Sequence, residues 1–423
     1  MTRPLFWKRL SKPRPLIAAA LFAAALVGAL LLAAVDGSFG ARSWALVAGL
    51  VFGVALQRGE LSLVRAWRDF LVLRDAGQLL GFLTALAVAA ALTLGGLALA
   101  GAAQTPENAR VGPISWLLPI SAFVFGVGSV IARGGVMVHM RRLGEGSLVA
   151  APALLATFGG FVLGVALWPW TWRIAIGDAP SPSLPSSFGF PGALTAQTAI
   201  ILAIAAALWS RRPRPGPDPR SLATRLAVEP WPAPAAGALL GALVAASYAA
   251  GEPLGLIAEC VIVARWIATA LHLAPVALPG LDAGVGGLKA PLQGFEFTEH
   301  VVILLGFIIG ACGAALSSGR FAVAGFTRRE AAEMCLGGAL LGWGAMTSLG
   351  AVTGEAIAGV AIGAASGWVF LGFASLGIIA ALKLDWRTSV TAPPPEAHDA
   401  PEDLPPYLPS NPPAQPGDAG LRV

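Results

Sequence analysis

Long apolar runs broken by short polar punctuation dominate the chain, without the alternation of a half-buried strand or the single stripe of a soluble helix. About 20 apolar residues cross a bilayer as a helix. Leu16–Val35, Leu79–Ala103, Ile114–Ala132, Leu148–Trp168, Leu194–Trp209, Ala235–Ala250, Val301–Ser318, Met334–Thr347 and Val360–Leu382 therefore predict spanning helices, and the shorter Ser43–Gln57 adds another. Leu256–Leu273 is ambiguous, because it holds Glu259, Cys260, Arg265 and His272. If it spans, the loop carrying Arg320, Arg328 and Arg329 falls outside, against the positive-inside tendency; re-entry keeps that loop inside with Lys383 and Arg387. The preferred reading is re-entry. The fold class that follows is an all-α polytopic membrane protein of about ten transmembrane helices, some broken or re-entrant.

The punctuation sets the organisation. Arg3, Lys8, Arg9, Lys12 and Arg14 precede the first run, which exceeds the roughly 7–15 residues of a cleavable signal core. A retained helix and two cytoplasmic termini are expected. Trp168, Trp170 and Trp172 mark an interface. Arg/Pro-rich residues 210–234 read as a cytoplasmic linker between a first membrane half, 1–209, and a second, 235–387. Residues 388–423 are proline-rich and acidic and read as a disordered tail. Segments from Gly49 and Gly306, and from Phe125 and Gly342, are faintly alike, so two pseudo-repeated halves facing one pathway are expected.

Composition narrows the class. The chain is 56% hydrophobic and 12% charged, with mean hydropathy +0.73, and its 52 glycines suit close helix packing. Its net charge of +5 belongs to loops facing the cytoplasm and does not point to nucleic acid. Cys260, Cys312 and Cys335 form neither a disulfide framework nor a zinc pattern; each reads as a buried thiol, with Cys312 first choice for a pathway position. No nucleophile–base pair, phosphate loop or dinucleotide fingerprint is visible, so neither an enzyme nor a cofactor is expected.

Phe123–Ser147 carries the candidate chemistry. It starts as an apolar helix, breaks at Arg133-Gly134-Gly135, and continues through Met137, His139, Arg141, Arg142 and Glu145. Broken backbone at membrane depth survives only where protein or a wet cavity satisfies it, which makes such a break a pointer to a transport site. Arg133 has two readings, an oxyanion donor or a positive-inside arginine at a helix end. Met137, His139 and Met140 include soft copper-type ligands, but a structural role carries more weight and no metal is expected. Glu145 suits a helix amino end or a salt bridge with Arg142. Arg65, Arg68, Asp69 and Asp75 stand at helical spacings that allow ion pairing within a short re-entrant helix.

These stretches resemble the YeeE/YedE family of sulfur-compound transport proteins, which includes bacterial thiosulfate transporters. The first block, F-G-x-G-x-x-x-A-G-G-C-x-S-G-x-x-Y-R-x-G-E-G, is matched at Phe125, Gly126, Gly128, Ala132, Gly134, Arg142, Gly144, Glu145 and Gly146. Gln57, Arg58, Ala66, Arg68, Asp69, Leu71, Arg74 and Asp75 match a second. Gly337, Gly338, Gly342, Gly344, Gly350, Gly354 and Gly359 match a third. Where the family carries cysteines that touch the passing sulfur compound, this chain has Ser62, Gly135 and Ala351.

The resemblance implies a bacterial inner-membrane, multi-pass transporter or channel for a small sulfur-containing anion, with lipid around it and a cytoplasmic sulfur-carrier protein as a further partner. The expected pathway set is Ser62, Arg133, Gly134, Gly135, Met137, His139, Ser348, Gly350, Ala351, Thr353 and Glu355, with Arg68, Asp69, Arg142 and Glu145 structural. Glu355, unmatched in the family pattern, is free for a pathway or proton-linked role. Loss of all three cysteines also allows a different class, a non-transporting membrane partner or regulator.

Overall fold

Lipid offers no partner to a backbone amide, so the apolar runs close their hydrogen bonds internally. A computed structural model describes residues 7–9, 14–213, 229–251, 257–288 and 298–384, with the side chains of residues 7–9, 259 and 300 excepted. Arg3 and Lys12 of the N-terminal basic cluster, most of the Arg/Pro-rich linker and the whole C-terminal tail lie outside the described residues. The first half holds α1 (Pro15–Val35), α2 (Ala41–Gly59), short α3 (Leu63–Val72), α4 (Gly77–Leu99), α5 (Leu117–Ile131), short α6 (Val136–Gly144), α7 (Ala150–Thr171) and α8 (Leu184–Leu208). The second holds α9 (Ala233–Ala249), α10 (Ile257–Ala270), α11 (Glu299–Ser317), α12 (Arg328–Thr347), α13 (Ala358–Ala361, entered through a π-helical turn Val352–Ile357) and α14 (Ala365–Leu384). The only named strands among the described residues, β1 (Trp7–Arg9) and β2 (Ala322–Ala324), pair antiparallel.

Eight helical segments among the described residues are long and apolar enough to cross a membrane, and three shorter apolar helices accompany them. The chain is an all-α, multi-pass membrane protein. The ambiguous apolar run becomes α10, whose 14 residues reach only about 21 Å, short of the roughly 30 Å hydrocarbon layer. It packs on α7.

Helices from the two halves interleave in pairs: α2 with α11, α4 with α9, α5 with α14, and α7 with α12. Glycine makes these contacts, because lipid supplies no hydrophobic drive between helices and close approach must supply the attraction instead. A methyl at Gly53 would fall on the Phe307 carbonyl, and one at Gly310 on that of Leu50, so α2 and α11 touch backbone to backbone. The segments whose sequences resemble each other, around Gly49 and Gly306, lie against one another in this pair.

The ends are tied by polar side chains. On the side where α7 ends, Arg265 of α10 is buried and donates to Asp282 Oδ1 at 2.6 Å and to the Val276 carbonyl at 2.5 Å. Asp282 Oδ2 accepts from Leu278 N at 2.8 Å, and Trp168 Nε1 donates to the Pro279 carbonyl at 2.9 Å. The 274–282 loop is thereby stapled to α7 and α10. Asp282 is held below the usual carboxylate range, chiefly by its hydrogen bond from Arg265.

Candidate functional site at three helix breaks

Three helices stop in the same way. α2 is followed by Glu60 in the left-handed region (φ 49) and, two residues later, by extended Ser62, the N-cap of α3. Beyond α5, Arg133 is left-handed (φ 57) and extended Gly135 caps α6. Beyond α12, Leu349 is left-handed (φ 60) and extended Ala351 opens the helical run Val352–Ala361. A left-handed residue turns the chain out of its helix, and the extended residue two positions on caps the start of a new one.

All three caps line one cavity of about 60 Å³, measured as space open to the centres of water molecules. With roughly 15 Å³ per water on this measure, several water-sized groups fit. The first residues of each new helix join them: Leu63 and Val64, Val136 to Val138, and Val352 to Gly354. Phe52, Leu56, Phe82, Phe125, Leu240, Ile257 and Ile378 form apolar walls. The first amides of a helix lack intrahelical acceptors. Ser62 Oγ accepts from Arg65 N at 3.4 Å, whereas Gly135 and Ala351 give no side-chain cap. Two uncapped N-termini and one weakly capped one thus present donors and the positive ends of their dipoles to a single space.

The expected pathway residues divide. Ser62, Gly135, Met137, Ala351 and Thr353 line the cavity. Arg133 does not: its half-exposed side chain pairs with Glu333 at 2.9 Å and Glu330 at 3.7 Å at the start of α12. Gly134 N donates to Ser129 O at 2.7 Å, and its carbonyl meets His139 Nε2 at 3.1 Å, so His139, fully buried, braces the break from behind. Ser348 Oγ donates to Gly344 O at 2.6 Å or Gly350 O at 3.0 Å, bracing the third break in the same manner. Glu355 is buried on the π turn away from the cavity wall. Of the copper-type group only Met137 reaches the cavity, and no cluster of three or more His, Cys, Asp or Glu able to hold a metal occurs among the described residues. Cys312, half-buried on α11, is not part of the lining.

Around the first break lies an ion-pair network. Asp69 takes Arg68 at 2.9 Å and Arg65 at 3.3 Å, and Glu60 pairs with both Arg65 and Arg320. Arg58 Nη2 donates to Ser317 Oγ at 2.6 Å, joining α2 to α11. Glu145 ends α6 rather than opening α7, and its partner is Arg141 at 3.0 Å rather than Arg142. The amino end of a helix is therefore not what Glu145 serves. Burial pushes its carboxyl up, and Arg141 opposes that. Arg142 is half-buried beside it.

Sequence reasoning passed over Glu60 and Ser129, and used Arg320 only as a loop charge. Ser129 lines the cavity, and its place on the helix just after Gly126 and Gly128 was the available sign. Glu60 carried no sign, because a left-handed glutamate is unusual for its residue type and its partner Arg320 is remote in sequence.

Similarity to known proteins bears on this geometry. Residues 58–380 match the sulphur transport family, a span containing all three breaks. Over 140 residues the chain is 33% identical to the thiosulfate transporter TsuA of Spirochaeta thermophila, a match covering 32% of this chain and 40% of that protein. The chain thus spans well under two thirds of that relative's length. Because the family match runs through most of both membrane halves and every break that meets at the cavity, the chain belongs to the sulphur transport family.

Proposed function

We propose that the cavity is the anion site of a transporter that moves a small sulfur oxyanion, of which thiosulfate is the leading candidate, between the two halves of the chain. The observation that carries this is the convergence of three helix N-termini, at Ser62, Gly135 and Ala351, on one space with apolar walls. Oriented amides and dipole ends favour an anion, and their pull is stronger where water is excluded. The apolar wall and the Met137 thioether suit a sulfur end. Recognition in this chain rests on the Ser62 hydroxyl, the Thr353 hydroxyl and backbone amides.

In this reading the α3 and α6 breaks open toward the cytoplasmic side of an inner membrane, where Arg58, Arg65, Arg141 and Arg320 gather, and both termini lie on that side. The eight long segments together with α9 and α11 then make ten crossings. Arg133 acts through its ion pairs with α12 at the edge of the site. A cytoplasmic sulfur-carrier protein is the acceptor on the inner face, tested by co-purification.

The test is uptake of radiolabelled thiosulfate into proteoliposomes. A side chain added at Gly135 meets open space, so Gly135→Leu folds and fills the cavity. Uptake at least tenfold below wild type, with unchanged protein recovery, is expected. Equal uptake by the two proteins places the pathway elsewhere, and no flux of any sulfur oxyanion through wild type leaves the regulator reading.

A further inference from the structure

Glu355 sits inside the π-helical turn Val352–Ile357 and is 1% exposed. Its carboxylate oxygens make no hydrogen bond of standard geometry among the described residues, and the Ser366 hydroxyl is the neighbour placed to interact with them. Its neighbours on the same turn, Thr353 and Gly354, form cavity wall, so carboxylate and anion site share one short irregular segment. Such π turns hold one extra residue per turn and recur at functional positions.

The space around the carboxylate is shaped for it. A Cβ at Gly112, in the loop before α5, would stand 3.0 Å from Glu355 Oε1, and one at Gly350 would stand 2.7 Å from the Glu355 Cβ. Ser366 Oγ, which accepts from Gly112 N at 3.1 Å, borders the same space. Two charged or titratable groups face the carboxyl from the elements packed on it: Arg110 from the loop and Tyr248 from α9. The Tyr248 hydroxyl is already committed, donating to Ala358 O at 2.9 Å and accepting from Arg110 N at 3.2 Å. A buried carboxylate is costly, and the Ser366 hydroxyl beside it can donate to the charged form or accept from the protonated one, so both states have a partner. Arg110 disfavours a metal cation beside the carboxyl and favours its charged form, whereas burial favours the protonated form, so the two opposing influences leave the proton as the ligand that can come and go.

We propose that Glu355 is a proton-binding site coupled to the anion cavity, its carboxyl taking a proton on one side of the membrane and releasing it on the other as the anion moves. The Glu355 Oε–H bond forms from solvent water or hydronium and breaks again to water, with no change of oxidation state. Gain or loss of that proton alters the charge held inside the π turn, and the turn carries Thr353 and Gly354 with it. The inference rests on the transport reading and adds the driving ion.

The test uses wild-type proteoliposomes at clamped membrane potential, with radiolabelled thiosulfate outside and a pH-sensitive dye inside. An inward proton gradient is expected to raise accumulation at least tenfold over no gradient, with internal acidification that follows thiosulfate entry. In Glu355→Gln, confirmed folded by its melting temperature, the response to the gradient is expected to disappear. Wild-type uptake that ignores the proton gradient, or proceeds without acidification, overturns the proton site and leaves the transport reading standing. Stimulation by a sodium gradient instead, or an undiminished proton response in Glu355→Gln, overturns it equally. No thiosulfate flux under any gradient overturns both.

Discussion

Glu60, Arg133 and Leu349 each hold a left-handed backbone that costs a residue with a side chain roughly 1–2 kcal/mol. At Arg133 the return is an ion pair with Glu333 that is half-exposed and contributes about 0–1 kcal/mol. Arg133→Gly is therefore expected to raise thermal stability slightly, by up to about 1 kcal/mol, and to leave thiosulfate uptake within twofold of wild type. A tenfold loss of uptake in folded protein would return the guanidinium to the pathway. Gly135 differs, because its backbone is extended and a side chain there has room. Gly135→Cys, in a background with Cys260, Cys312 and Cys335 replaced by Ala, is expected to react with a small thiol reagent and to be protected by thiosulfate.

The elements depend on which glycines face a neighbour and which face lipid. Gly53 of α2 lies on the backbone of α11, so Gly53→Val is expected to destabilise by about 1–3 kcal/mol or prevent assembly, seen as a lowered melting temperature. Gly159 of α7 has open space around it, and Gly159→Ala is expected to stabilise by roughly 0.5–1 kcal/mol through helix propensity. The loop staple at Asp282 is pH-sensitive. Its carboxyl is lowered by Arg265, so the stability it adds is complete above the ordinary carboxylate range and is lost as pH falls through the lowered folded value. Melting temperature is expected to fall as pH drops below the ordinary aspartate value of about 4 in wild type and to fall less in Asp282→Asn, which lacks the titrating group.

For the whole molecule, interleaving matters more than any one helix. Each half contributes to every major helix pair, so neither encloses the cavity alone: the first supplies Ser62 and Gly135, the second Ala351. The apolar walls come from both, Phe52, Leu56, Phe82 and Phe125 from the first and Leu240, Ile257 and Ile378 from the second. Under the proposed function, an anion in the cavity contacts both halves, so a relative shift of the halves would change which side the site faces.

Much of this was legible along the chain. Apolar runs announced the spanning helices, because burial in lipid demands uninterrupted apolar length, and the Arg133-Gly134-Gly135 interruption announced a break. The three motif blocks singled out Ser62, Gly135 and Ala351 as candidate pathway positions. Hydropathy and spacing are local quantities, however, and what remained depended on partners far apart in sequence. Only the packed helices brought the three caps to one cavity, turned Arg133 outward to Glu333, set Glu145 on Arg141 and enclosed Glu355 between Gly112 and Ser366. Backbone contact at glycines decides those distances, and a glycine looks the same in sequence whether it meets a helix or open lipid.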